Sequence, residues 1–172
     1  MDTIISVTST SKEEVYREII PQIKSLVHGE ANLIANLANT TAVLKLAFPK
    51  VSWAGFYLLG DNELVLGPFQ GKPACVRIAP GKGVCGTSAQ KQLTVIVPNV
   101  HEFPGHIVCD VDSKSEIVVP IIKNRQVLGV LDVDSASFNS FDAVDSASFN
   151  SFDEVDKQYL EELSSWLSEN VF

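Results

Sequence analysis

The chain has 172 residues, of which 45% are hydrophobic and 20% charged, as is typical of one globular domain with a substantial core. Its 13 basic and 21 acidic residues give a formal net charge of -8, with no cluster of Lys or Arg. Nucleic acids and anionic membranes are therefore not expected partners, because phosphate binding requires a basic surface. The sequence also lacks a secretory signal and any apolar run near the roughly 20 residues of a membrane span, so we expect a cytoplasmic protein.

Two helices are predicted first. Ser11 and Glu14 form a capping-box pattern, followed by apolar residues at helical spacing as far as Val27. Pro21 lies inside this pattern and predicts a kink or a restart of the helix. The second helix is predicted over residues 31–47, where a nearly continuous apolar character indicates burial.

From Val51 the apolar period changes to two, which predicts strands. Residues 60–62 form a hairpin turn between the first two strands, and a short CVRI strand and a helix over residues 84–91 follow. The later predicted strands are residues 93–100, 115–122 and 126–135. An amphipathic helix ends the chain, and helices flanking a mostly antiparallel sheet predict an α+β domain.

An 11-residue tandem repeat precedes the last helix, VDSASFNSFDA at 133–143 and VDSASFNSFDE at 144–154. Two copies are too few for a solenoid, and lengthening a surface loop costs only about 0.6 kcal/mol per doubling. We therefore interpret the repeat as an extended loop within one domain that spans residues 1–172. The repeat copies Asp134 as Asp145.

Two aspartates lie at the end of the apolar segment 126–135. Alternation places Asp132 and Asp134 on one face together with Leu128 and Val130. An aspartate at a strand end is as readily a turn cap as a site residue, so Asp134 alone decides nothing.

Other polar and aromatic residues share faces on the neighbouring segments. Glu116 shares a face with Val118, and Trp53 shares one with Tyr57. An aromatic pair of this kind is by itself more often part of the core. If these strands are neighbours, three acids and two aromatic residues line one pocket.

The chain has three cysteines, Cys75, Cys85 and Cys109, without a CxxC motif or the ligand spacing of a zinc site. In a reducing compartment we expect them to be thiols at rest. Cys109 lies between His106 and an acidic segment at the edge of the apolar run, unusual surroundings for a core cysteine. A loop histidine is more often a structural hydrogen-bonding residue than a partner of a thiolate.

Five motifs occur in order: ELVLGPFQGKPACVRI, GKGVCGT, PGHIVCD, SKSEIVVPII and GVLDVDS. Together they resemble the free methionine-(R)-sulfoxide reductase family, which is built on a single GAF domain. The resemblance covers about residues 53–134 and extends to the placement of the flanking helices. It implies a sheet with the terminal helices packed on one face and the substrate pocket on the other. It also implies reduction of free methionine-(R)-sulfoxide by thiol chemistry, with thioredoxin as external reductant and no cofactor or metal.

The resemblance assigns roles to particular residues. Cys109 matches the catalytic cysteine, and Cys75 is the more plausible resolving thiol, although Cys85 remains open as resolving thiol or relay. The substrate-binding residues that it implies are Trp53, Tyr57, Glu116, Asp132 and Asp134. Asp134 is a better match than Asp145, because it continues the strand that carries Asp132.

Elementary chemistry fits these roles. Carboxylates suit the ammonium of a free amino acid, and a buried protonated acid can donate to the sulfoxide oxygen. Backbone N–H groups of the helix after Gly81-Lys82-Gly83 are candidates for the substrate carboxylate. One full negative charge about 6 Å from Cys109 would cost its thiolate roughly 3 kcal/mol. We therefore hypothesise that the substrate ammonium activates this thiol.

Three other interpretations agree less well with the sequence. A GAF module that only binds a small ligand would leave three thiols unexplained, and its acids would repel a phosphate ligand. A zinc protein is disfavoured by the missing ligand spacing. Inert core cysteines are disfavoured by their acidic neighbours. The acidic surface permits a homodimer without indicating one.

Overall fold

The computed structural model describes residues 7–9, 11–137 and 152–172. The helices within these ranges are α1 (Lys12–Val27), α2 (Leu33–Ala47), α3 (Gly83–Lys91) and α4 (Glu154–Asn170), with a short 3-10 helix at Val100–Glu102. The strands are β1 (Val51–Gly60), β2 (Glu63–Gln70), β3 (Arg77–Ile78), β4 (Val95–Val97), β5 (Ser115–Lys123) and β6 (Gln126–Ser135). No helix in the described ranges is long and apolar enough to cross a membrane.

The six strands form one sheet in the order β3-β2-β1-β6-β5-β4, and every neighbouring pair is antiparallel. Two tight turns connect β1 to β2 and β5 to β6. Their central residues have positive φ angles: 51° and 63° at Asp61 and Asn62, and 52° and 64° at Asn124 and Arg125. Turns of this hand match the twist of the strands that they join, so the predicted hairpin at residues 60–62 is confirmed.

The two faces of the sheet carry different layers. Helices α1, α2 and α4 pack on one face, over a core that includes Ile19, Leu37 and Leu163. Helix α3 and the long loops cover the other face, over a second cluster that includes Trp53 and Val118. The predicted α+β architecture is confirmed, with the terminal helices on one face and the pocket on the other.

Several predicted elements are shorter or more continuous in the structure. Helix α1 runs through Pro21 as one helix, so the expected restart does not occur. The CVRI strand is reduced to Arg77–Ile78, and segment 93–100 forms strand only at Val95–Val97. Pro98 follows β4 directly and has no N–H to continue the ladder.

An irregularity in β6 changes which side chains face the pocket. Ile121 pairs with Gly129 and Ile122 with Val127, so Leu128 has no residue opposite it. Leu128 therefore packs on the helix side and Val127 on the pocket side. The prediction that Leu128 shares a face with Val130 is wrong, because strict alternation does not survive a bulge.

Helix α4 begins at a reciprocal cap. The Asp153 carboxylate accepts from the N–H groups of Val155 and Asp156, and the Asp156 carboxylate accepts from the N–H of Asp153. Such a cap satisfies backbone donors that the first helical turn leaves open. Asp145 and most of the predicted repeat loop lie outside the described residues.

Candidate active site

A disulfide joins Cys75 and Cys109, which are 34 residues apart in sequence and 5.5 Å apart between Cα atoms. Cys75 lies in the loop between β2 and β3, and Cys109 in the loop before β5. Both residues are half-buried. The structure thus shows the oxidised form of this cysteine pair.

Cys85 remains a free thiol in the first turn of α3 and is only 3% exposed. Its Sγ donates to Asp132 Oδ2 at 3.2 Å and lies 3.9 Å from Glu116 Oε1. Burial raises the pKa of this thiol well above its usual value, and the two carboxylates raise it further. Cys85 is therefore held as a neutral thiol.

The three predicted acids come together on β5 and β6. Glu116 lies opposite Asp134 on the neighbouring strand. Asp132 lies two residues away from Asp134 on the same face of β6, opposite Val118. Glu116 and Asp132 are each 6% exposed. The sequence pattern did not specify the strand register. The observed register brings acids from two separate motifs into one cluster.

Burial raises the pKa values of these three acids by different amounts. Burial, followed by repulsion from neighbouring carboxylates, raises the pKa of Glu116 and of Asp132 well above the usual range. Burial raises the pKa of Asp134 only to about 6, because Ser113 donates a hydrogen bond of 2.6 Å to its carboxylate. At neutral pH, Asp134 is thus largely ionised while its two neighbours resist ionisation.

The two predicted aromatic residues stack with ring centroids 6.0 Å apart, and their polar ends hold the loop that carries Cys75. Trp53 Nε1 donates to the carbonyl of Lys72 at 3.0 Å, and the Tyr57 hydroxyl donates to the carbonyl of Cys75 at 2.9 Å. Glycine makes room for the indole, since a Cβ at Gly55 would lie 2.3 Å from the Trp53 ring. Sequence reasoning predicted these rings in the pocket but missed their hold on the loop.

Lys72 connects the two loops that carry the disulfide. Its ammonium pairs with Asp110 at 3.2 Å and also with Asp112, both in the Cys109 loop. The N–H of Asp112 and then Lys72 lower the pKa of Asp110. No sequence pattern pointed to Lys72, because its partners lie some 40 positions along the chain.

Most of the predicted site residues line one cavity of about 50 Å³. The predicted residues that line it are Trp53, Tyr57, Cys85, Cys109, Glu116, Asp132 and Asp134. Cys75 is not among the described residues that line this cavity. Cys109 therefore lines the cavity, whereas its disulfide partner does not.

Two further features of the cavity wall bear on the substrate. Gly83 and Val84, at the start of α3, line the cavity, and the N-cap Lys82 makes no side-chain capping bond. First-turn N–H groups have no partner within their own helix, so this end of α3 offers donors for a carboxylate. His106 also lines the cavity, but burial, followed by repulsion from His101, lowers its pKa. A neutral His106 gives a thiolate no charge support.

Comparisons with known proteins agree with this geometry. A family model described as GAF domain matches residues 32–171. GAF domain-containing protein A of Dictyostelium discoideum is 56% identical over 141 residues, 81% of this chain and 89% of that protein. The free methionine-R-sulfoxide reductase of Escherichia coli is 49% identical over 131 residues, 76% of this chain and 79% of that protein. The solved free methionine-R-sulfoxide reductase from Neisseria meningitidis, in complex with its substrate, is 45% identical with a TM-score of 0.88, covering 98% of this chain and 95% of that one.

The chain is therefore a GAF domain, and it belongs to the free methionine-R-sulfoxide reductase family. The resemblance found in the five sequence motifs is confirmed.

Proposed function

We propose that this protein reduces free L-methionine-(R)-sulfoxide to L-methionine with Cys109 as the nucleophile. One observation carries the proposal: Cys109 lines a cavity of acids and aromatic rings while it is bonded to Cys75, which lies outside that cavity. A nucleophile must meet the substrate, whereas a resolving thiol has only to reach the nucleophile. The named relatives support this reaction.

The three acids contact different groups of the substrate in this proposal. Ionised Asp134 pairs with the substrate ammonium, and the first-turn N–H groups of α3 receive the substrate carboxylate. Glu116 or Asp132, kept protonated by burial, donates to the sulfoxide oxygen. Because only Asp134 is largely ionised, the Cys109 thiolate meets less negative charge than it would beside three ionised acids. The electrostatic cost of forming the thiolate is therefore smaller.

The chemistry balances in two steps. The Cys109 thiolate attacks the sulfoxide sulfur, the oxygen leaves sulfur for Cys109 with a proton from the cavity acid, and methionine departs from a sulfenic acid. The Cys75 thiol then attacks that sulfenic acid and releases water, which forms the Cys75–Cys109 disulfide. The substrate gains two electrons, and the thiol pair loses them.

Cys85 has a different role in this scheme. Its thiol is buried, neutral and hydrogen-bonded to Asp132, so it is a poor nucleophile. We assign the resolving step to Cys75 and a positioning role toward Asp132 to Cys85.

We propose thioredoxin as the external reductant. An external dithiol must reach one sulfur of the disulfide, and both cysteines are half-buried rather than enclosed. Exposed apolar side chains flank both of them: Val76 is 64%, Val108 is 58% and Val111 is 78% exposed. Such a rim suits contact with a protein partner.

The decisive experiment couples the reduced protein to thioredoxin, thioredoxin reductase and NADPH. R- and S-sulfoxides of free methionine and a sulfoxide-containing peptide are supplied in parallel. NADPH consumption with the free R-epimer only, lost in Cys109→Ser, supports the proposal. Absence of turnover with every substrate and with dithiothreitol as reductant would instead favour a GAF module that only binds ligand. Turnover with dithiothreitol alone would retain the reaction and reject thioredoxin.

A further inference from the structure

Three potential metal ligands meet at the inner end of the cavity. The Cys85 sulfur and one carboxylate oxygen each from Glu116 and Asp132 all lie within 4.8 Å of one another, and all three residues are buried. They come from α3, β5 and β6, so rigid elements fix their positions. Within the described part of the chain, the second Asp132 oxygen, Oδ1, is buried and accepts from no amide, hydroxyl or thiol donor, although the Glu116 and Asp132 carboxyl groups interact with each other. A buried carboxylate oxygen without such a donor points to a ligand.

The spacing of the ligand atoms fits a tetrahedral zinc ion. Zn–S and Zn–O bonds of about 2.3 and 2.1 Å at a tetrahedral angle separate sulfur from oxygen by about 3.6 Å. The Cys85 sulfur lies 3.2 Å from Asp132 Oδ2 and 3.9 Å from Glu116 Oε1, which brackets that separation. The two sulfur–oxygen separations therefore suit the ion, and the two carboxylate oxygens lie within 4.8 Å of each other.

Charge and ligand type favour the same ion. No Lys or Arg is among the described residues that line the cavity, so these acids have no lysine or arginine partner there. A divalent cation compensates a thiolate and two carboxylates that are removed from water. A thiolate ligand selects zinc over magnesium or calcium, which prefer oxygen alone.

We propose that Cys85, Glu116 and Asp132 form a Zn²⁺ site inside the substrate cavity, and that the bound ion excludes the substrate. The thiol proton of Cys85 and the carboxyl protons that Glu116 and Asp132 hold leave to solvent when the ion binds. Because Cys85 is not part of the disulfide, the site is present in the oxidised protein as well as in the reduced one. Exclusion of substrate rests on the proposed function, whereas binding of the ion does not.

Sequence spacing could not reveal this site. Its ligands are 31 and 16 positions apart along the chain, whereas the short spacings of structural zinc motifs place ligands within one turn or hairpin. The sequence therefore disfavours a zinc motif, whereas the sheet register brings these three ligands together.

The first test adds Co²⁺ alone to the oxidised protein and follows the near-ultraviolet absorption that a cobalt–thiolate bond produces. We expect one Co²⁺ per chain with this band, and its displacement by Zn²⁺ at an equal stoichiometry. Since the Cys75–Cys109 pair is blocked, the thiolate signal can arise only from Cys85. Binding that appears only after reduction, or binding without the band, would overturn the proposal.

Variants locate the site. Cys85→Ser should lose the band, and Asp132→Asn should weaken Zn²⁺ binding by about tenfold or more. Asp112→Asn is the matched control, since that carboxylate is exposed and lies outside the ligand set; its side chain is 64% exposed. Equal Zn²⁺ affinity in Asp132→Asn and Asp112→Asn would contradict the assignment. If a variant fails to fold, the cobalt–thiolate band of the wild-type protein still tests the proposal.

The second test measures binding of the R-sulfoxide to the oxidised protein, which cannot turn over. Saturating Zn²⁺ should weaken this binding by about tenfold or more, because the ion occupies Glu116 and Asp132, one of which is proposed to donate to the sulfoxide oxygen. An unchanged sulfoxide affinity beside confirmed Zn²⁺ binding would reject exclusion. Because neither measurement needs catalysis, their failure is distinguishable from failure of the proposed reaction.

Discussion

Surroundings give the three cysteines different chemistry. Cys85 is buried against two carboxylates and stays protonated. Cys109 lines the cavity, and Cys75 lies in a loop held by Tyr57. We therefore propose that the same side chain acts as nucleophile at Cys109, as resolving thiol at Cys75 and as hydrogen-bond donor at Cys85, because burial and neighbouring charge differ at each position.

This division of roles predicts different trapped states in two variants. After one turnover without external reductant, Cys75→Ser should accumulate a sulfenic acid at Cys109, because no thiol is in place to condense with it. Cys85→Ser should instead accumulate the Cys75–Cys109 disulfide. Labelling with dimedone followed by mass spectrometry distinguishes the two states. A dimedone adduct in Cys85→Ser and none in Cys75→Ser would reverse our assignment.

Substrate affinity should depend on pH through Asp134. Only the ionised carboxylate pairs with the ammonium, and its pKa is raised to about 6. Affinity of the oxidised protein for the R-sulfoxide should therefore fall about tenfold per unit as pH decreases below 6, and level off above it. Calorimetric titrations between about pH 5 and pH 8 measure this. Asp134→Asn should bind more weakly and without the inflection near pH 6.

Residue identities in the site were predictable, whereas their states were not. Cys109 and the three acids belong to the five sequence motifs, so resemblance could find them. Protonation of Glu116 depends on burial and on a neighbour 16 positions away, which only the strand register supplies. The hold of Tyr57 on the Cys75 loop likewise depends on tertiary contact.

At the scale of elements, Lys72 ties together two loops that must approach for the disulfide to form. Lys72→Met should slow formation of the disulfide by about two- to fivefold, because an exposed ion pair positions only weakly. Salt should reduce the wild-type rate toward that of the variant. Rapid-quench thiol counting after one turnover measures the rate. Lys91→Met, an exposed lysine at the end of α3, is the control.

The sheet itself was predictable to within its irregularities. Period-two segments and the turn at residues 60–62 predicted the hairpins, because alternation and turn chemistry are local. The bulge near Leu128 was not, since it reflects how β6 pairs with β5. Gly129, next to the bulge, allows the close approach of β1, because a Cβ there would lie 2.4 Å from the Tyr57 carbonyl oxygen.

At the scale of the whole molecule, the disulfide constrains a segment that crosses β3, α3 and β4. A closed loop of 34 residues restricts the unfolded chain and should stabilise the oxidised protein by about 2–4 kcal/mol. Reduction should therefore lower the melting temperature by roughly 5–15 °C. Calorimetric scans with and without dithiothreitol measure the shift. Cys75→Ser should melt at one temperature in both conditions.

The hydrogen bonds from Trp53 and Tyr57 to the loop that carries Cys75 restrict redesign of the pocket. The rings that would be exchanged to admit a bulkier sulfoxide are the same rings that hold the loop of Cys75, our proposed resolving thiol. We therefore expect a replacement of Tyr57 that widens the cavity to alter regeneration of the thiols along with the substrate range. Loop replacements that supply a new anchor for Cys75 are the safer starting point for directed evolution.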